Sequence, residues 1–375
     1  MFAPKTVIEG LRGVGRVELE LEEGQSAYVF LGQNAVGKTK TLEALFQIAL
    51  FAYLAKREDR SVVYTANLGG FTEANVSGLS IVLPDRNPST RFENFVLGPS
   101  VQQSLPCVFA GSQNRGFVQH ATRKAAALGT VDQRRSAYVS SLLKGMTSSF
   151  SSLNMEGDIE HWFVVRAQSA NRYQRSDDSR EIEIETVLEI MHRIDARVDP
   201  AFLEVSGDER VAVKVSGERR QLDQLSSGFA SVLKLVQAIV AGYASFTNDR
   251  ALRDVRGMVF IDEIESHMHL SWQARIVRLL VELFPNTTFF VTTHSALVTA
   301  QCRRGEAYRL QRDPDKSVVR SERIDSPGTA AFVDLLDDVF GVDVNTLKID
   351  HSSADDQRQV KTELLEMLRR SDARS

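Results

Sequence analysis

Val17, Leu19 and Leu21 alternate with Glu18, Glu20 and Glu22, the period-two pattern of a half-exposed strand, with Val7 and Ile8 in a preceding one. Tyr28-Val29-Phe30-Leu31 is instead continuously apolar and runs into a glycine-rich loop, as a strand buried on both faces does. A helix is predicted from Thr39 to about residue 55. Between 60 and 112 the pattern is mixed, with strand-like pieces such as Leu79-Ser80-Ile81-Val82-Leu83. Residues 116–200 read mainly as helix, and Ile184, Val187, Leu188, Met191 and Ile194 fall on one helical face. Phe202 to Val205 and Arg210 to Val215 predict a hairpin across Ser206-Gly207-Asp208-Glu209.

From Leu225 onward an α/β pattern returns. Val232, Leu235, Val236 and Ile239 line one face of a helix. Met258-Val259-Phe260-Ile261 predicts a buried strand, Gln273 to Phe284 a helix, and Phe289-Phe290-Val291 another buried strand. Beyond Ser326 lie one amphipathic helix (Val333, Leu336, Val339, Phe340) and a charged final one (Leu364, Leu365, Leu368). The chain shows no repeats and no long heptads. The expected fold class is α/β, a mixed sheet flanked by helices with a mostly helical lid insertion. The expected parts are 1–115 and 221–325 for the two halves of one domain, 116–220 for the lid with its hairpin, and 326–375 for a helical tail.

Composition narrows the class only a little. The 375 residues are 43% apolar and 25% charged, an ordinary globular mix for one large domain with an insertion or for two domains. A net charge of −4 implies no global pull toward nucleic acid or membrane. Cys107 and Cys302 lie far apart without metal-ligand spacing, which suits buried thiols in a reducing compartment. Leu42 to Ala55, a strongly apolar stretch, is too short to span a bilayer and carries Glu43 and Gln47. The N-terminus runs straight into a strand pattern, so no signal peptide is expected. The expectation is a cytoplasmic protein that does not enter a membrane.

The candidate chemistry begins at Gly32-Gln33-Asn34-Ala35-Val36-Gly37-Lys38-Thr39, which fits G-x-x-x-x-G-K-[ST] between an apolar strand and a helix. Glycines let the backbone wrap a phosphate chain, and the helix adds its positive N-terminal end. Gly32, Asn34, Gly37, Lys38 and Thr39 are therefore the expected nucleotide contacts, with Lys38 bridging β- and γ-phosphates and the Thr39 hydroxyl on Mg²⁺. Phe260-Ile261-Asp262-Glu263 is an apolar strand ending in two acids, where an open α/β sheet presents its ligand crevice. Asp262 is expected toward the Mg²⁺ and Glu263 as the base that orients and deprotonates water, in preference to Glu265. His294 ends the next strand, where it can hydrogen-bond a γ-phosphate and the attacking water. His267 and His269, an i, i+2 pair in a polar loop, make a weak metal site.

Leu225-Ser226-Ser227-Gly228-Phe229, at the opening of a helix, resembles the signature loop of ABC-type ATPases, the class that includes transporters, SMC proteins and RecF-like repair proteins. Residues 261–273 and 284–295 look like the bacterial stand-alone ATPases related to the OLD and Septu-type defence ATPases. The resemblance covers residues 1–55 and 220–300 strongly and the middle weakly. It implies a P-loop NTPase fold of ABC-ATPase type that binds ATP with Mg²⁺ and forms a head-to-tail homodimer or higher homo-oligomer. Ser226 and Gly228 of one copy would contact the γ-phosphate held by Lys38 of the other. Departures are Ser227 and Phe229 where transporters commonly carry Gly and Gln, and His269 where they usually place an Asp. The glutamine loop is not clear from the sequence; Gln113 is the candidate.

Three functions follow from the resemblance: a sensor or regulator ATPase in antiviral defence paired with a separate effector, a repair or chromosome-maintenance ATPase, and a transporter subunit. Ile264-Glu265-Ser266-His267-Met268-His269 replaces the transporter run after the catalytic Glu, and the missing heptads disfavour a long-armed protein. That favours the defence class, with repair as the alternative. Asp334, Asp337 and Asp338 look like a solvated helix face, so any nuclease or toxin is expected to be a partner. Residues 114–145 carry Arg115, Arg123, Lys124, Arg134, Arg135 and Lys144 against Asp132, which makes them a possible DNA contact beside the equally open reading of a lid surface.

Overall fold

The computed structural model describes residues 1–57, 70–82, 103–118, 120, 128–155, 157–169, 179–313, 317–325 and 327–328. Met1–Thr329 form one compact unit; Ala330–Ser375, a second one, holds the expected tail helices and lies outside the described residues.

The strands are β1 (Lys5–Leu11), β2 (Gly15–Glu20), β3 (Ala27–Leu31), β4 (Glu73–Val76), β5 (Leu79–Val82), β6 (Cys107–Ala110), β7 (Val198–Val205), β8 (Val211–Val215), β9 (Glu218–Gln221), β10 (Gly257–Ile261), β11 (Thr287–Thr292), β12 (Ala307–Arg312) and β13 (Val318–Arg323). The helices are α1 (Lys38–Arg57), α2 (Val131–Ser148), α3 (Ile159–Ser169), α4 (Glu181–Ile194), α5 (Ser227–Ala244), α6 (Leu270–Gln273), α7 (Ile276–Leu283) and α8 (Ala296–Thr299). Ten strands form one mixed sheet in the order β5-β4-β1-β2-β13-β12-β3-β11-β10-β6. Its block β12-β3-β11-β10-β6 is parallel throughout, whereas β1, β2, β4 and β5 meander antiparallel. The α/β expectation of a mixed sheet flanked by helices holds.

The parallel block is organised by one aromatic row. Phe109, Phe260, Phe290 and Tyr28 lie side by side across β6, β10, β11 and β3. Phe260 and Phe290 stack at 4.9 Å, Phe290 and Tyr28 at 5.1 Å, and Phe46 of α1 meets Phe260 edge-on at 5.5 Å. This row fixes which face of the sheet α1 covers. Because side chains repeat every second residue, Asp262 and Thr292, two positions beyond Phe260 and Phe290, return to that same face.

The predicted hairpin is present as β7 and β8 and gains β9 as a third strand. Ile184, Val187, Leu188, Met191 and Ile194 are all buried along α4. Two elements differ from expectation. The helix predicted over Gln273 to Phe284 is present as α7 but starts at Ile276, separated from the short α6 before it, with Gln301 from beyond α8 binding both the Gln273 carbonyl and the Val277 N–H between the two. The β12–β13 hairpin carries no sequence assignment above, yet it joins β3 to β2 and completes the sheet. By length and composition α5 could cross a bilayer, but most of it is buried inside the protein.

Phe260 is wholly buried in the aromatic row, so Phe260→Ala is expected to cost about 3–5 kcal/mol of stability. The midpoint of urea unfolding reads this, and Phe260→Leu should recover much of the loss. A midpoint unchanged by Phe260→Ala would mean that the row does not organise the sheet.

Candidate active site

The first loop leaves β3 at Leu31 and enters α1 at Lys38. Gly32 has φ 142°, and a Cβ there would lie 2.5 Å from the Leu310 carbonyl oxygen, so only glycine lets the loop pass β12. Gln33, Asn34 and Ala35 are exposed, while Lys38 is folded inward at 5% exposure. The Lys38 ammonium donates to the Gly32 and Gln33 carbonyls at 2.8 and 2.9 Å. Burial pulls its pKa down to about 8, with Glu265, then Glu263 and Asp262, opposing that shift.

Asp262 is 1% exposed and sits where the strand-end argument places it. Three hydroxyls from three elements donate to its carboxylate: Thr39 at 2.9 Å, Thr292 at 2.7 Å and Ser112 at 3.1 Å. Thr292 Oγ1 also accepts the Glu263 N–H at 2.8 Å. A carboxylate and a hydroxyl meeting at a sheet end are hard oxygen donors of the kind Mg²⁺ takes beside phosphate oxygens, so Thr39 and Asp262 fit that ion. Ser112 and Thr292 had no role assigned from sequence, and Arg115 was expected only as part of the basic stretch. The period-two spacing from Phe290 could have pointed to Thr292; nothing local marks the other two.

Arg115 is fully buried beneath this point. Its guanidinium donates to the carbonyls of Asp262 (2.7 Å), Glu263 (3.0 Å) and Gly111 (2.5 Å). Burial lowers its pKa to about 10, so it stays charged at neutral pH. This corrects part of the basic-stretch expectation. Arg115 is an internal fastener, and Arg134 is buried as well, donating to Ala244, Gly129 and Asn248. Arg135 pairs with Asp132 and Lys144 is exposed; Arg123 and Lys124 lie outside the described residues. Charge reversal at Arg134 would therefore disturb the fold before it reported on any DNA contact.

Glu263 has φ 44°, in the left-handed region that a residue with a side chain seldom adopts, and its carboxylate accepts from the Ser266 hydroxyl at 3.1 Å. Glu265 accepts from the Thr293 hydroxyl at 2.7 Å and the His294 N–H at 2.5 Å. His294 itself is exposed. Parallel pairing of β10 with β11, Ile261 opposite Val291, brings the two strand ends together. Gln113 is exposed on the loop after β6, with its N–H on the Ser151 carbonyl. His269 caps α6 by accepting the Ser271 N–H at 3.3 Å.

Ser226 is the N-cap of α5, its hydroxyl accepting the Phe229 N–H at 3.3 Å, and it is exposed. Gly228 lies against the loop that follows β10: a Cβ there would come within 2.9 Å of the His267 carbonyl oxygen. Ser231, one turn on, donates to the Ser266 carbonyl at 2.9 Å. In one protomer the signature-like loop is thus fastened to the segment carrying Glu263. A cavity of about 570 Å³ lined by α2, α3 and α5 includes Trp162 and Arg166 but none of the residues named at the strand ends.

A family described as "AAA domain, putative AbiEii toxin, Type IV TA system" matches residues 145–300. The Septu protein PtuA of Bacillus thuringiensis is 22% identical over 345 residues, 90% of this chain and 83% of that protein. The "Retron Ec83 probable ATPase" of Escherichia coli is 42% identical over 77 residues, 20% of this chain and only 14% of that protein. Among solved structures, an SMC head bound to the C-winged helix domain of ScpA covers 86% of this chain and 97% of that one, at 13% identity and a TM-score of 0.44. With its phosphate-loop sequence at the mouth of β3 and its acidic strand end two strands away, the chain resembles the ABC-like defence ATPases of the Septu and retron kind.

Proposed function

We propose that the protein binds Mg-ATP in the cleft at the ends of β3, β10 and β11 and hydrolyses it to ADP and phosphate. The observation that carries this reading is the meeting of Thr39, from the phosphate loop, with the buried Asp262 at the end of β10. Lys38 would leave the Gly32 and Gln33 carbonyls and turn to the β- and γ-phosphates. Thr39 and Asp262 would hold Mg²⁺, which when bound neutralises phosphate charge. Glu263 would orient the attacking water and accept its proton; His294 would steady the γ-phosphate.

Ser226 and Gly228 would act on the nucleotide of a second copy, giving a head-to-tail homodimer with ATP between the two. Support comes from the exposed Ser226 at the N-terminus of an 18-residue helix, a place that favours an anion. The similarity to a Septu protein and to a retron ATPase favours a cytoplasmic regulator of antiviral defence that controls a separate effector, a nuclease or toxin. A repair or chromosome-maintenance ATPase is the alternative carried by the sequence resemblance.

Four outcomes are expected. Lys38→Ala abolishes nucleotide binding, and Glu263→Gln retains binding, accumulates an ATP-bound dimer and lowers turnover about 100-fold or more; normal hydrolysis by Glu263→Gln would remove its assignment as base. Equimolar mixing of Lys38→Ala with Gly228→Asp restores hydrolysis through one composite site, whereas two inactive parents that stay inactive together argue against the shared-nucleotide dimer. Nucleotide affinity falls as pH rises through about 8, because the nucleotide-free Lys38 loses its proton there and phosphate binding requires it charged. Titration calorimetry in two buffers of different ionisation enthalpy should show proton uptake on binding above that pH.

A further inference from the structure

We propose that Glu265 is a positioning residue that latches the His294 loop, and so sets where the His294 ring points. This rests on the reading of His294 as a γ-phosphate contact. The three acids at the end of β10 have separate commitments. Asp262 is taken by three hydroxyls, Glu263 accepts from Ser266, and Glu265 spends one oxygen on each of two successive residues of the next strand end.

The latch is directional. Thr293 is wholly buried, and its Oγ1 accepts the Ser295 N–H at 3.0 Å. Its single proton is therefore free to be given to Glu265 Oε2 at 2.7 Å. The other oxygen, Oε1, accepts the His294 N–H. Charged acceptors make roughly twice the bond of neutral ones, so the turn from β11 into α8 is held by the stronger kind. The His294 ring is exposed, and the backbone at residue 294 fixes the point and rotamers from which it projects. A carboxamide at 265 would keep the acceptor for His294 and orphan the Thr293 proton.

The test is a double-mutant cycle on ATP turnover with the full chain: wild type, Glu265→Gln, His294→Ala and the pair. Glu265→Gln is expected to lower kcat about 10- to 100-fold, as a small misplacement of a catalytic group does, with KM for ATP little changed. In the His294→Ala background the same change should cost less than about twofold, because coupled residues are not additive. Wild-type kcat in Glu265→Gln, or a loss that multiplies in full on top of His294→Ala, overturns the latch while ATPase activity stands. A wild-type chain without ATP turnover overturns the ATPase reading and the latch with it.

Discussion

The strand-end site depends on satisfying one buried carboxylate, Asp262, which is 1% exposed. Burying an ion without partners costs far more than any single contact returns, so the surroundings must satisfy it. They do so with hydroxyls from α1, β11 and the loop after β6, each of which can donate without bringing a compensating charge. The result is a carboxylate that is hydrogen-bonded by hydroxyls and not paired with an arginine. It can still attract a cation, which a salt bridge to an arginine would forestall. The arginine that is present, Arg115, binds the backbone carbonyls of Asp262 and Glu263 instead of their carboxylates.

Around this point the loops are tied to one another through helix α5. Lys234 donates to the Asn114 and Met155 carbonyls at 3.0 Å each, Ser231 to the Ser266 carbonyl, and Gly228 lets α5 approach the loop after β10. Burial pulls Lys234 down to about 8, so this tie carries a charge that the surrounding carbonyls hold in place. A displacement at the N-terminus of α5 would be felt at Ser266, and hence at Glu263, without crossing solvent.

Much of this was legible along the chain. Period-two and continuous apolar runs located β2, β3, β10 and β11, because a strand's burial is written in which of its residues are apolar. The phosphate-loop motif between strand and helix fixed the neighbourhood of Lys38 and Thr39, because only a glycine-rich turn and a helix start can build that shape. The continuous apolar run of β10 ended visibly in two acids, Asp262 and Glu263. The 3.6-residue face of α4 was equally plain. The β12–β13 hairpin and the separation of α6 from α7 were not, since both involve partners far along the chain, β3 and β2 in one case and Gln301 in the other.

The chain by itself determined that a glycine-rich loop of the phosphate-loop pattern, an acidic strand end and a second small-residue loop are present, and in what order. Local geometry is enough for that: each motif is a turn, a strand end or a helix start whose residues touch one another. Only the tertiary structure decided that Arg115 and Arg134 are internal fasteners, that Ser112 and Thr292 complete the shell of Asp262, and that Glu265 serves the neighbouring strand's loop. An arginine's burial and a carboxylate's partner depend on which distant segments the sheet order sets beside it. Hydrophobic periodicity carries no record of that order, because it fixes which face a residue takes and leaves open which strand lies next to it.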